Sequence, residues 1–390
     1  MESKTIPING ICDSQFSRVQ DAFAANFQER GEIGASVCVV LEGRKVVDLW
    51  AGHMDAARTI PWHEHTLVNV WSLGKAMSAL ALLKLMDGGA CSPESRVSDT
   101  WPEFAAAGKR DITFAQAMSH SAGLCGIEAP LPADAFYHWD TMVSALEAQS
   151  PFWEPGQGHG YHTNTFGFLI GEPVRRITGT RLKDYFQREI AGPMGVDFHL
   201  GVSKIDVARC ADLVMAPRPA QARPVTAPDI DQSDPMNKMR QCIYNNPALS
   251  QYDFNSTAWR MAEFPSTSPQ SNARSVATLF GELSMILAGS RNAKGIISKD
   301  LLERAVQIES DGEDLNIMRP TRFGLGFQLT QPDRPLGPNP GTFGHYGNGG
   351  HLGFADPNIG LGFAYHMNHQ GYAWRDPRNI ALTEAVYQSI

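Results

Sequence analysis

Ser72-Leu73-Gly74-Lys75 holds a hydroxyl and an amine three positions apart. On a helix that spacing puts both on one face, one turn apart. If the helix begins at Ser72, its hydroxyl lies among free backbone N–H groups at the positive end of the helix dipole. Lys75 then sits in the first turn, where dipole and burial both disfavour its charged form. A lysine of lowered pKa accepts a serine proton and leaves an oxygen nucleophile. The Ser72 N–H can also help hold the oxyanion of a tetrahedral intermediate. The pattern alone is weak, and the plain alternative is an N-cap serine beside a solvated lysine. Two features weigh against that alternative. The run after Ser72 is apolar on nearly all sides, which buries Lys75, and a buried lysine is paired or functional. The apolar strand-like stretch Leu67-Val68-Asn69-Val70-Trp71 also fixes the position from which Ser72 emerges.

The elements around this pair follow from periodicity and punctuation. Asp13–Arg30 has apolar residues at helical spacing. Ser36–Leu41 and Val46–Trp50 form a hairpin about Glu42-Gly43-Arg44-Lys45. Ser72–Met86 is a central helix ended by Asp87-Gly88-Gly89. Asn164–Thr178, Arg181–Ile190 and Ser271–Ala288 read as helices. Arg322–Thr330, Gly350–Ala355 and Gly360–Met367 read as strands. Asp376-Pro377 opens a last helix. The proline-rich stretch 216–235 reads as a loop. Strands at both ends and helices between them predict an α+β fold: one antiparallel sheet flanked by helices, plus a mostly helical part. The expected division is 1–90 with 270–390 as a discontinuous α/β domain, and 91–269 as the helical domain, with the active site at their interface.

Composition excludes other classes. The 390 residues carry a net charge of −8, with 43% apolar and 19% charged residues. That is neither a disordered chain nor a basic nucleic-acid binder. No apolar run is long enough for a membrane span. The six scattered cysteines, with no signal-like N-terminus, predict reduced thiols and a cytoplasmic, soluble protein. His63-Glu64-His65 lacks a nameable third ligand, so a polar turn is expected there, with no metal or other cofactor.

Four ordered stretches carry a resemblance. Thr66-Leu67-Val68-Asn69-Val70-Trp71-Ser72-Leu73-Gly74-Lys75 resembles the nucleophile motif of the serine β-lactamase-like superfamily, nearest to the family VIII carboxylesterases that resemble class C β-lactamases. Trp101–Ala105 with Met118–Leu124 is similar to the family's next motif. Gly160-Tyr161-His162-Thr163 and the run after it resemble its tyrosine motif, and Phe343–Pro357 resembles the strand that carries Lys-Thr-Gly in β-lactamases. The resemblance covers about residues 15–385. It implies a β-lactamase/penicillin-binding-protein-like fold, with Ser72 as acyl acceptor, Lys75 taking its proton, and Tyr161 as a second base with a pKa lowered by the lysine. It also implies oxyanion donors at the backbone of Ser72 and Asn348, and a substrate-binding edge at His345, Tyr346 and Gly347.

Two departures bear on the substrate. Thr163 stands where β-lactamases carry Asn, and His345 where they carry Lys. A largely neutral His at that place favours neutral esters over carboxylate-bearing β-lactams. The expectation is a carboxylesterase for small-molecule esters, with slow β-lactam hydrolysis as a side activity. The alternatives are a β-lactamase, a D-amino-acid peptidase or amidase, an acyltransferase, or a non-catalytic binding relative. Phe136, Phe152 and Trp153 are candidates for an apolar pocket wall, joined by Trp259, Phe264, Met236, Met239 and Met261. His159 and His162 are candidates to line the site, and His120 to buttress a turn. Oligomeric state is not encoded in any of these signals.

Overall fold

A computed structural model describes residues 6–216, 231 and 233–390. Most of the 216–235 stretch expected as a loop lies outside the described residues. Nine strands form the main sheet: β1 (Ile8–Cys12), β2 (Gly34–Leu41), β3 (Arg44–Gly52), β4 (Ser310–Glu313), β5 (Pro320–Phe323), β6 (Gln328–Leu329), β7 (Phe343–Tyr346), β8 (Leu352–Asp356) and β9 (Leu361–Met367). Their order is β1-β3-β2-β9-β8-β7-β6-β5-β4, with every neighbouring pair antiparallel. The β2–β9 pairing, Leu41 opposite Leu361 through Ala35 opposite Met367, joins the two ends of the sequence into one sheet.

The helices that matter here are α1 (Ser17–Glu29), α2 (Leu73–Asp87), α3 (Trp139–Ala148), α4 (Phe166–Thr178), α5 (Pro235–Tyr244), α6 (Ala273–Leu287) and α7 (Pro377–Tyr387). Strand periodicity decides which helices cover which face. On β2, Val37 and Val39 join the core shared with Phe16, Phe23, Leu382 and Val386, next to α1 and α7. Cys38 and Val40 point the other way, into the core that contains Val276 and Phe280 of α6. Covering both faces explains why Val37–Val40 reads as an unbroken apolar run instead of an alternating one. Each fully buried Phe or Val contributes roughly 1.5–3 kcal/mol to this packing.

The α2 helix is buried on almost every side, as its composition predicted, and packs on α4. Its core is continuous with residues of 91–269, such as Phe104, Phe136 and Trp259. Three expectations change. Strand β1 was not anticipated, because Asn9-Gly10 interrupts any apolar alternation. The strand expected at 322–330 is two strands, β5 and β6. Between them Gly326 adopts φ +80° with its Cα against Ala79 of α2, where a Cβ would fall 2.1 Å from the Ala79 Cβ. The helix expected over 181–190 is α-helical only at Leu182–Phe186 before a π turn. All six cysteines are free thiols. Among the described residues no helix is long and apolar enough to cross a membrane.

Candidate active site

The chain reaches Ser72 through a short strand, Val68–Asn69, paired antiparallel with Gln270–Ser271. Trp71 then takes a left-handed conformation, φ +53°. That is a costly geometry for a bulky residue, and it persists only where the surroundings impose it. Here the indole Nε1 donates to Gln370 Oε1 at 2.8 Å, and the ring packs against Phe254 and Trp259. The kink delivers Ser72 to the N-cap of α2, where its side chain makes no capping hydrogen bond. The hydroxyl is therefore partly exposed and uncommitted to the backbone.

Lys75 is fully buried, which excludes the solvated-lysine alternative. Its Nζ lies 3.1 Å from Ser72 Oγ and donates to the Ser266 carbonyl at 3.0 Å. Gly74 permits this approach, because a Cβ there would fall 2.0 Å from the Pro265 carbonyl oxygen. Burial alone holds the Lys75 pKa well below the ordinary lysine value.

The Tyr161 ring faces the same amine, with Lys75 Nζ 4.8 Å from its centroid. The phenol oxygen is buried without a hydrogen-bond partner among the described residues. The expectation of a lowered phenol pKa is overturned. Burial pushes it well above the ordinary value. The Tyr161 backbone is clamped from a segment about 150 residues away. Its N–H donates to both Asp314 carboxylate oxygens, at 3.0 and 3.1 Å, and its carbonyl accepts from Asn316 Nδ2 at 2.7 Å. His120 supports the ring at 4.8 Å and accepts the His162 N–H at 3.1 Å. His162 in turn accepts the Leu124 N–H at 3.0 Å, and His159 bonds the Thr321 hydroxyl at 2.9 Å. These two histidines brace the loop and do not line the site.

Strand β7 leads into Gly347 and Asn348. His345 is fully buried, and burial and then Lys75 pull its pKa to about 3, so it is neutral. It does not reach the cleft. Tyr346 stacks on Trp374 at 6.1 Å, and Gly347 donates to the His351 carbonyl at 2.8 Å. The expected binding edge of His345, Tyr346 and Gly347 therefore lies behind the cleft, where all three are buried. Asn348 is exposed and does reach the cleft. Neither the Ser72 N–H nor the Asn348 N–H donates to a protein acceptor among the described residues.

Ser72, Tyr161 and Asn348 meet at a cleft of about 260 Å³. Trp71, Tyr244, Leu249, Ile317 and Trp374 give it apolar walls, Thr163 and Thr267 add hydroxyls, and Arg319 adds one charge. The aromatic wall expected from the middle segment lies elsewhere. Phe136 is buried and stacked on Phe264 at 4.5 Å. Phe152 and Trp153 pack with Cys125, Met239 and Ile243, and Trp153 Nε1 donates to the Gly158 carbonyl at 3.1 Å. Trp259 is likewise core, and Met261 is on the surface. Phe136, Phe152, Trp153 and Trp259 found partners in the interior, away from the cleft. A larger surface cleft of about 560 Å³, bordered by Trp139, Arg175 and Glu263, contains none of the site residues. His63, Glu64 and His65 are exposed, and no group of three metal-ligating side chains occurs among the described residues.

The beta-lactamase family matches residues 19–388. The chain is 30% identical over 362 residues to "Esterase/beta-lactamase LipL" of Mycobacterium tuberculosis, covering 92% of this chain and 82% of that protein. The fold superposes on the crystal structure of a family VIII carboxylesterase with a TM-score of 0.90 at 38% identity, over 99% of this chain and 100% of the other. It superposes on a penicillin-binding protein homologue from Caulobacter crescentus with a TM-score of 0.88 at 34% identity, over 98% and 100%. The four ordered motifs, the sheet and these likenesses agree: the chain belongs to the beta-lactamase family and is a serine hydrolase of that fold.

Proposed function

We propose that this protein hydrolyses small carboxylic esters through an acyl-enzyme on Ser72. The observation that carries the reading is a fully buried lysine, 3.1 Å from a cleft-lining serine hydroxyl and 4.8 Å from a buried tyrosine ring. In the resting site burial disfavours the charged form of both Lys75 and Tyr161. Lys75 takes the Ser72 proton as Oγ bonds to the ester carbonyl carbon. The N–H groups of Ser72 and Asn348 receive the oxyanion. As the C–O bond to the alcohol breaks, Tyr161 gives that oxygen its proton. The acyl-enzyme then faces an ammonium and a phenolate, which stabilise one another. Water passes a proton to the phenolate and attacks the acyl carbon. Lys75 returns its proton to Ser72 Oγ, and the acid leaves.

His345 is uncharged where β-lactamases place lysine, which favours esters over substrates anchored there by a carboxylate. Slow β-lactam turnover is the expected side activity, since the relative LipL is named for both reactions. Turnover of p-nitrophenyl acetate, nitrocefin and a D-alanine amide tests the ranking. The ester should be fastest, and Ser72→Ala should turn over none of the three. A preference for nitrocefin or the amide would move the protein to another branch of the same chemistry, and turnover by Ser72→Ala would remove the acyl-enzyme altogether.

A further inference from the structure

Arg319 lines the cleft and has no part in the proton transfers above. It lies between β4 and β5, half-buried, with its guanidinium carbon 4.3 Å from the centre of the Trp374 ring. Trp374 in turn packs edge-on against Tyr161 at 5.7 Å. The Arg319 Nε is sealed from water without a hydrogen-bond partner, and its guanidinium forms no ion pair among the described residues. Asp314, five positions earlier, attracts it from a distance but forms no ion pair with it. That carboxylate is occupied by the N–H groups of Tyr161, Asn316 and Ile317 and by the Thr321 hydroxyl. Every other side chain lining the cleft is uncharged.

A partly desolvated cation without a counter-ion is costly to hold. The cost is recovered when a ligand supplies the anion, and a planar guanidinium pre-oriented on an aromatic face suits a carboxylate, which it can hold with two parallel hydrogen bonds. We propose that Arg319 is the specificity-determining residue of the cleft and binds a carboxylate carried by the ester substrate. The preferred substrates are then half-esters of dicarboxylic acids, or esters of alcohols that bear an acid group. This rests on the esterase reading and revises the neutral-ester expectation, which considered only the wall at His345. The cation missing from β7 is supplied from the opposite sequence neighbourhood, the β4–β5 loop.

The test compares three esters of similar size. One is neutral (p-nitrophenyl butyrate), one carries its acid on the acyl side (p-nitrophenyl hemiglutarate), and one carries it on the alcohol side (4-acetoxybenzoate). In wild type at least one acid-bearing ester should exceed the neutral one in kcat/KM. Arg319→Gln should lower that selectivity ratio by on the order of 10–100-fold, chiefly through KM, and Arg319→Lys should keep part of it. An unchanged ratio in Arg319→Gln, or equal losses on charged and neutral esters, would overturn the proposal. Calorimetric binding of both acid-bearing esters to Ser72→Ala, with and without Arg319→Gln, removes any dependence on turnover. Binding weakened by a similar factor supports the role of Arg319, and unchanged binding rejects it. Wild-type protein that hydrolyses no ester contradicts the proposed function, and the calorimetric comparison still decides on Arg319.

Discussion

Two lysines are fully buried among the described residues, Lys75 under the cleft and Lys109 beside the end of α3, and they behave oppositely. Lys109 Nζ donates to three carbonyls, those of Ala106 at 2.8 Å, Glu147 at 2.8 Å and Gln149 at 2.7 Å. Three acceptors use all three N–H bonds of an ammonium, so the site is built for the charged form. Burial lowers its pKa only to about 8, and the proton stays on at neutral pH. Lys75 has one carbonyl and one hydroxyl, and a hydroxyl can donate as well as accept. Nothing opposes desolvation there, and the amine is free to be neutral. Burial of a lysine is thus no mark of function. The number of fixed acceptors around it separates a structural clamp from a base.

The largest effect that bears on this contrast comes from the group the base serves. Ser72→Ala should remove ester turnover down to background, with far-UV circular dichroism unchanged. Next, Lys75→Ala should cost on the order of 10²–10⁴-fold in kcat/KM. Lys75→Arg should cost as much, since a guanidinium cannot give up its proton; an active Lys75→Arg enzyme would break the comparison. The pH dependence carries the same sign. Protonated Lys75 cannot accept the serine proton, so kcat/KM falls as pH drops through its pKa. Because burial depresses that pKa, the fall should come well below the ordinary lysine value. On p-nitrophenyl esters, whose leaving group needs no proton, Tyr161→Phe should be milder, on the order of 10²-fold, and should fall on deacylation. A stopped-flow burst of p-nitrophenol followed by a slow steady state would reveal it. Smallest in activity is Lys109→Met. It leaves three carbonyls without their donor and should lower stability by about 2–4 kcal/mol in urea unfolding, while kcat/KM of the folded protein stays the same.

How far the sequence reveals this site depends on how local each contact is. Ser72 and Lys75 are legible because helical spacing alone puts them one turn apart. The sheet is legible because β2, β3, β8 and β9 are long apolar runs with clear turns between them. Tyr161 is legible through the motif around it, and its pKa is not, since burial by His120, Phe323 and Trp374 is a property of the assembled fold. Asp314, Asn316 and Arg319 lie in an irregular loop and act on backbone or ring atoms far away in sequence, so no spacing announces them. The aromatic residues show the converse failure. Phe136 and Trp374 are both large aromatic residues, yet one stacks on Phe264 in the core and the other walls the cleft. Hydrophobicity predicts that a ring leaves water and says nothing about whether a side chain or a substrate will cover it.

The central claim is that a neutral, buried Lys75 makes Ser72 the nucleophile. The most direct measurement is the rate of covalent labelling by a fluorophosphonate, with the modified residue located by peptide mass spectrometry, in wild type and in Lys75→Ala at pH 7. The account predicts labelling at Ser72 in the wild type, slowed by on the order of 10²–10⁴-fold in the variant. Labelling at another residue, or an equal rate in both proteins, would contradict it.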